Sequence, residues 1–198
     1  MTISCFFHLL KHRLWSTSTV LLLIHPAGKL ADDSVRTPCP GEFRMVTEEN
    51  INDCAAFEDA SHYVPVYREM LKQGDVVRFG YMDGSCVFRH CMQMSGPFRE
   101  DGCVVRCLGP DEAYIQYVFC APPARGLGFH TEGTRQLCKL FPNRTIYTTV
   151  KADNNSSLHG FFKSGFEVHS LLTVKNRFLR RTLMEKRLTP QEASRYYC

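Results

Sequence analysis

A long apolar segment that stops at two prolines and continues into a glycine-containing loop is the feature that most restricts the fold of this chain. Ala113–Cys120 is apolar on both faces, which predicts a central strand. Pro122 and Pro123 cannot continue a paired strand, and the loop from Arg125 to His130 opens directly into a helical pattern. Such a turn aims successive backbone N–H groups and the positive end of a helix at one point, which suits a pyrophosphate.

A second signal follows about thirty residues downstream, where an asparagine begins an amphipathic segment that ends in Gly-Phe. The pattern predicts a helix over 156–164, stopped by Gly165 in a left-handed conformation. Asn154 suits the N-cap of this helix, with Ser157 as its partner, and that structural role is sufficient on its own. The spacing of Phe161 and Phe166 favours one buried face.

Length and charge limit the domain organisation and the class of partner. The chain has 198 residues, enough for one domain with a full hydrophobic core. We divide it into an N-terminal extension packing on the core (1–41), a main domain (42–184) and a short C-terminal helix or tail (185–198). The net charge of +4 favours an anionic ligand but falls short of a nucleic-acid-binding profile, so we expect no nucleic acid.

The ten cysteines have no Cys-x-x-Cys pair, and several lie in apolar runs where a thiol acts as a small hydrophobe. We expect reduced thiols, a cytoplasmic protein and no bound metal. An alternative is a cysteine-rich metal-binding interaction protein, whose zinc ligands would be Cys86, Cys91, Cys103 and Cys107. The apolar segment Val20–Ile24 is too short to cross a bilayer, so no membrane span is expected.

Local patterns predict a strand, two helices, three or four strands, a helix, a strand, a helix and two strands. The first segment (1–41) is predicted to hold a short amphipathic helix, Phe6–Trp15, and a strand at Val20–Ile24. Two helices are expected at about 48–58 and 63–73, and a loop at 95–102. The order indicates a mixed α/β sheet with helices on both sides.

These two signals together resemble the GNAT superfamily of acyl-CoA-dependent N-acyltransferases. The stretch 121–128 resembles the family's Arg/Gln-x-x-Gly-x-Gly/Ala turn after its strand, and 154–166 resembles its Asn-x-x-Ala/Ser … Gly-Phe segment. The resemblance covers about 43–184. It implies an α/β fold of the α+β type: one domain with a mostly antiparallel sheet, helices on both faces, and a central parallel pair that splays apart at the coenzyme site.

The resemblance also implies a function and a set of site residues. The expected reaction moves an acetyl or related short acyl group from acyl-CoA to an amine of a small molecule or protein by direct attack, with no metal. The acceptor and the oligomeric state stay open. The residues expected to bind acetyl-CoA or coenzyme A are Val118, Phe119, Cys120, Arg125, Gly126, Leu127, Gly128, Phe129, His130, Asn154, Ser157 and Phe161.

For catalysis, the resemblance implies that a backbone N–H near Phe119 polarises the thioester carbonyl. We select Glu112 as the general base; the other candidates are Asp111, His90 and Glu100. Cys120 is more simply a packing residue than a nucleophile, because the sequence positions no histidine beside it.

Two residues depart from the family pattern. His130 stands where a glycine or alanine is usual, and Phe161 stands where a tyrosine often protonates the departing thiolate. Tyr114, Tyr147 or water would then replace that tyrosine, or the thiolate would leave unaided. These departures motivate an alternative function, a catalytically weak acyl-CoA-binding or regulatory module on the same fold.

Overall fold

The computed structural model describes residues 15–29, 38–178 and 180–197. The predicted helix Phe6–Trp15 lies, apart from its last residue, outside these ranges. Within them the strands are β1 (Trp15–His25), β2 (Glu42–Met45), β3 (Val76–Met82), β4 (Ser85–Gln93), β5 (Gly96–Glu100), β6 (Cys103–Leu108), β7 (Glu112–Cys120), β8 (Thr145–Lys151), β9 (Glu167–Arg177) and β10 (Arg180–Arg187). The α-helices are α1 (Ala60–Lys72), α2 (Phe129–Leu140), α3 (Asn155–Lys163) and α4 (Pro190–Ala193).

Eight of these strands form one sheet in the order β10-β9-β1-β8-β7-β4-β3-β2, while β5 and β6 form a separate hairpin. Neighbouring strands of the large sheet are antiparallel, except that β7 and β8 run parallel. This arrangement confirms the predicted fold class: one α/β domain with a mostly antiparallel sheet and a central parallel pair.

Strand β1 lies inside the sheet, between β8 and β9. Its middle residues Leu21, Leu22 and Leu23 are buried, because a strand with neighbours on both sides and covered on both faces is apolar throughout. Part of the segment that we assigned to an extension packing on the core (1–41) is therefore a component of the sheet itself.

The two faces of the sheet are covered by different elements. On one face, α2 and α3 pack Leu137 and Leu158 against Leu21 and Ile115. On the other face, α1 and the 3-10 helix Ile51–Ala56 cover β3 and β4, and the β5–β6 hairpin covers β7, β8 and β1. The β7–β8 pair is therefore flanked by α2 and α3 on one face and by the β5–β6 hairpin on the other.

Most predicted elements are present, with three differences. The helix predicted at 48–58 is the shorter 3-10 helix, since Asp59 begins the next helix by accepting the Ser61 N–H at 3.0 Å. The predicted loop at 95–102 contains β5, whose Phe98 is buried against Tyr114 with ring centroids 4.3 Å apart. The expected C-terminal helix is α4, which has a capping box of Thr189 and Glu192 but spans only four residues.

Candidate functional site

The parallel strands β7 and β8 separate after four residue pairs. They pair from Glu112 with Thr145 to Ile115 with Thr148. At the last pair the Thr148 hydroxyl donates a hydrogen bond to the Ile115 carbonyl at 3.1 Å. Beyond this point the described part of β7 has no backbone partner on its β8 side, so its peptide groups are available to another extended chain.

We call the point where β7 and β8 separate the fork; its closed end is the paired part and its open end lies beyond Ile115 and Thr148. A β-bulge lies in β7 directly beyond this point. Cys91 of β4 faces Gln116 and Arg89 faces Phe119, so one residue of β4 opposes two residues of β7. Tyr117 has φ of 51°, a left-handed conformation that costs free energy in a bulky residue. No sequence pattern marks this bulge. Its effect is to turn β7 away from β8 at the level of Val118 and Phe119.

The loop after β7 ends at the N-terminus of α2, as the sequence predicts. Gly126 and Gly128 have φ of 78° and 85°, values that favour glycine. Gly128 is the N-cap of α2, and no side chain caps that end. The first backbone N–H groups of α2 therefore point out of the helix without an internal partner, and the helix dipole makes this end attractive to an anion.

The second motif forms the other side of the site. The Asn154 side chain caps α3 by accepting the Ser157 N–H at 3.2 Å, and Gly165 ends the segment with φ of 94°. Asn154 thus has its expected structural role. Because α3 packs beside α2, this cap also faces the loop that precedes α2.

Between these elements lies a cavity of about 500 Å³, which we call the donor cavity. It brings together most of the predicted cofactor residues: Val118, Phe119, Cys120, Arg125, Gly126, Gly128, Phe129, His130, Asn154 and Ser157. Sequence reasoning missed Ser156, His159 and Lys163, which also line it. Their only signal was their position on the exposed side of the predicted helix that Asn154 begins.

Three predicted residues are placed elsewhere. Leu127 is exposed and does not line the donor cavity. Phe161 is 1 % exposed and packs behind the cavity against Phe166, because the inward side of α3 faces the core. Glu112 stands at the start of β7, roughly 20 Å along the strand from Phe119.

Glu112 is held by a structural network instead. Its carboxylate accepts hydrogen bonds from the Gly109 N–H at 3.0 Å and the Tyr147 hydroxyl at 3.0 Å, and it pairs with Arg106 at 2.9 Å. Burial raises the pKa of this carboxyl, but these hydrogen bonds and the Arg106 charge outweigh burial and keep the pKa below its ordinary value. Glu112 therefore stabilises the closed end of the β7–β8 fork through these contacts. It lies too far from the open end to act as a base there.

His130 does not block the N-terminus of α2. Its imidazole turns toward α3, where a Cβ added to Gly160 would lie 2.3 Å from His130 Nδ1, and it meets the Phe161 ring edge-to-face at 4.6 Å. Gly160 thus makes room for the ring. The imidazole Nε2 is buried and has no hydrogen-bond partner, while the backbone of His130 remains at the helix N-terminus.

Burial lowers the pKa of His130 to about 4, below its value of about 6.5 in an unfolded chain. Between these values the unfolded state binds more protons, so the free energy of unfolding is expected to fall as the pH drops from about 6.5 to 4. Replacing His130 with Met should make this fall shallower in urea titrations across that range. The exposed His159→Met variant is the control; equal pH slopes for wild type and His130→Met would contradict the prediction.

Among the other candidate bases, Glu100 is the one placed at the open fork. Burial raises the pKa of its carboxyl, although the Thr149 hydroxyl donates a hydrogen bond to it. Thr149 directly follows the last paired residue of β8, and its hydroxyl lies 2.7 Å from that of Tyr114. Tyr114, Thr149 and Glu100 form a hydrogen-bonded chain on the face of the sheet opposite the donor cavity.

The remaining candidates do not suit proton transfer at the fork. His90 is completely buried, and burial lowers its pKa well below the ordinary value. Asp111 precedes Glu112 at the closed end of the fork. Tyr147 donates its hydroxyl to Glu112. Burial raises the pKa of the Cys120 thiol to about 11, so this residue fits the packing role expected for it.

Two further findings concern the described residues as a whole. They contain no group of three or more His, Cys, Asp or Glu side chains that could hold a metal ion. Within the described ranges, no helix combines the length and the apolar character that crossing a lipid bilayer requires.

Comparison with solved structures shows that this chain has the fold of the GNAT acetyltransferases. An acetyltransferase of the GNAT family from Colwellia psychrerythraea matches with a TM-score of 0.57 and 14% identity over 88% of this chain. A GNAT-family protein from Novosphingobium aromaticivorans matches with a TM-score of 0.51 and 17% identity, also over 88%. The chain spans 61% and 66% of the lengths of these two proteins.

An aminoglycoside acetyltransferase in complex with coenzyme A has the same fold. It matches with a TM-score of 0.53 and 16% identity, over 78% of this chain and 98% of the other. No protein-family model and no curated protein sequence matches the chain. The structural likeness confirms the resemblance found in the two sequence motifs at the level of the fold.

Proposed function

We propose that the protein is an acyltransferase that moves an acetyl or related short acyl group from acyl-CoA to an amine. The observation that carries this proposal is the donor cavity, which joins an open strand fork to the uncapped N-terminus of α2. The coenzyme A bound by an aminoglycoside acetyltransferase of the same fold supports it. A nucleotide thioester needs both features, because one end is a diphosphate and the other an extended amide chain.

The residues present fit such a donor substrate. The N–H groups at Gly128, Phe129 and His130 would bind the diphosphate, and the cations of Arg125 and Lys163 also line the cavity. The peptide groups of β7 from Val118 to Cys120 would pair with the pantetheine arm as an added strand. Asn154 would face that arm from the opposite wall. The imidazole of His130, packed against Gly160, leaves the corner open.

The chemistry that we propose is direct attack. A backbone N–H of β7 near Phe119 polarises the thioester carbonyl and stabilises the oxyanion. Glu100 removes a proton from the acceptor ammonium, directly or through water, in place of Glu112. The amine nitrogen then bonds to the carbonyl carbon, the C–S bond breaks, and coenzyme A leaves as its thiolate, which takes up, directly or through water, the proton that the new amide nitrogen loses. We assign no general acid, since Phe161 is buried and Tyr147 bonds to Glu112.

We also propose that the protein works in the cytoplasm. The cysteines that the structure describes are all free thiols, which supports a reducing compartment.

Replacing Gly128 with Asp tests the donor site. The new carboxylate would face the diphosphate, and repulsion between like charges is expected to weaken acetyl-CoA binding by about 10- to 50-fold in calorimetry. Gly128→Asn is the matched control, because it has the same shape and the same left-handed φ without the charge.

Equal affinities for Gly128→Asp and Gly128→Asn would remove this loop from the site. A thermal-shift series with coenzyme A, acetyl-CoA and longer acyl-CoAs then defines the acyl group. Tight coenzyme binding with no thiol release over a broad panel of amines and alcohols would instead indicate the non-catalytic binding module.

A further inference from the structure

A second concavity lies on the other side of β7 from the donor cavity. It has a volume of about 450 Å³ and lies between α1 and the first residues of β3; we call it the acidic groove. Met70 and Val66 supply apolar wall, Gln116 and Tyr117 line the end at the β7 bulge, and Glu69 and Asp75 are its charged residues.

Both charged residues that line this groove are acidic. Asp75 is 8 % exposed, and its Oδ1 accepts the Met94 N–H at 2.8 Å. Among the described residues nothing donates a hydrogen bond to its Oδ2 and no cation pairs with it. Removing a carboxylate from water without a cationic partner is unfavourable, so Asp75 supplies a strong site for a cation that enters the groove.

The groove also reaches the place where acyl transfer would occur. Tyr117 precedes Val118 and Phe119, which line the donor cavity. Asp75 directly precedes Val76, which is two strands from β7. Strand rise and spacing put about 16 Å between the backbones of Asp75 and Phe119. One molecule that spans both points must be long, with a reacting amine at one end and a cation at the other.

We propose that the acidic groove binds the distal ammonium group of a linear polyamine whose other end is acylated at the fork. This inference rests on the proposed acyltransferase function and names its acceptor class. Asp75 receives the distal ammonium, Glu69 adds negative charge at the rim, and Met70 and Val66 contact the methylene segments. The terminal primary amine then lies beside Tyr117, whose neighbours Val118 and Phe119 line the donor cavity.

Replacing Asp75 with Asn tests the proposal, with spermine as the polyamine and hexylamine as an acceptor that lacks the second cation. Loss of the charge-assisted contact is expected to raise the KM for spermine by about 10- to 100-fold, with kcat retained. The KM for hexylamine and the affinity for acetyl-CoA should not change. Glu49→Gln, which removes an exposed carboxylate outside the groove, is the charge-matched control.

A folding defect would not imitate this result. The Asn side-chain oxygen still accepts the Met94 N–H, and the variant no longer buries an uncompensated charge, so its melting temperature should equal or exceed that of wild type. An unchanged spermine KM, or an equal rise for hexylamine, would overturn the proposal.

Calorimetry with spermine alone separates this proposal from the acyltransferase function. If acetyl-CoA does not bind, the proposed function fails, while spermine binding that Asp75→Asn weakens still supports a polyamine site. If acetyl-CoA binds and spermine does not, or if spermine binds equally to wild type and Asp75→Asn, the groove assignment fails alone.

Discussion

Replacing Glu100 with Gln is expected to lower kcat/KM for acyl transfer by about 100- to 10,000-fold, the contribution typical of a positioned general base. Glutamine keeps the shape and can still accept the Thr149 hydroxyl, but it cannot take a proton from an ammonium group. Acetyl-CoA affinity should be unchanged, since Glu100 lies on the face of the sheet opposite the donor cavity. Steady-state thiol release and calorimetry measure the two quantities.

The pH dependence gives this prediction a second readout. Because burial raises the pKa of Glu100, the wild-type rate should rise with pH along a limb centred above the ordinary value for a glutamate, as the carboxylate forms. The Glu100→Gln variant should lack that limb. Glu112→Gln, at the closed end of the fork, is the comparison: a larger loss of activity there than at Glu100 would contradict the assignment.

The second large effect is expected at a buried ion pair beneath the β7 bulge. Arg89 Nη2 lies 3.3 Å from Glu58 Oε2, and both side chains are 7% exposed. Tyr67 accepts a hydrogen bond from Arg89 at 2.8 Å and donates its hydroxyl to Glu58. The guanidinium also lies 4.5 Å from the Tyr63 ring centroid, so the charge is enclosed on several sides.

Replacing Glu58 with Ala leaves the Arg89 charge buried without its partner, which is expected to lower the free energy of unfolding by about 3–5 kcal/mol. For a domain of this size that loss corresponds to a fall in melting temperature of roughly 6–20 °C. Denaturant titration and calorimetry measure both. Glu48→Ala breaks the exposed pair with Arg68 and should leave stability unchanged; an equally small effect at Glu58 would show that the buried pair does not stabilise the fold.

Local signals explain why much of the donor cavity was predictable from sequence. Pro122 and Pro123 end a strand, Gly128 permits a left-handed N-cap, and Asn154 caps α3, and each effect acts within a few residues of the chain. The same motifs placed ten of the twelve predicted cofactor residues around one cavity. Leu127 and Phe161 do not line the cavity, because the direction of a side chain depends on packing that the sequence does not show.

The position of the proposed base depends on contacts that the sequence does not display. Glu100 lies near the fork because Phe98 stacks on Tyr114 and so holds β5 against the sheet. The sequence of β5 does not reveal this contact, because it resembles that of a polar loop. The bulge at Tyr117 places a tyrosine in a conformation that local propensity disfavours. Glu112 is the first residue of β7, so most of that strand separates it from Val118 and Phe119.

The position of β1 has a consequence for how the chain is made. Trp15–His25 leaves the ribosome before its neighbours β8 and β9, which begin at Thr145 and Glu167. More than a hundred residues must therefore be synthesised while the apolar stretch Leu21–Leu23 has no strand beside it. Such unpaired edges promote intermolecular association. Folding of the nascent polypeptide is thus expected to need this stretch shielded until β8 and β9 have been synthesised.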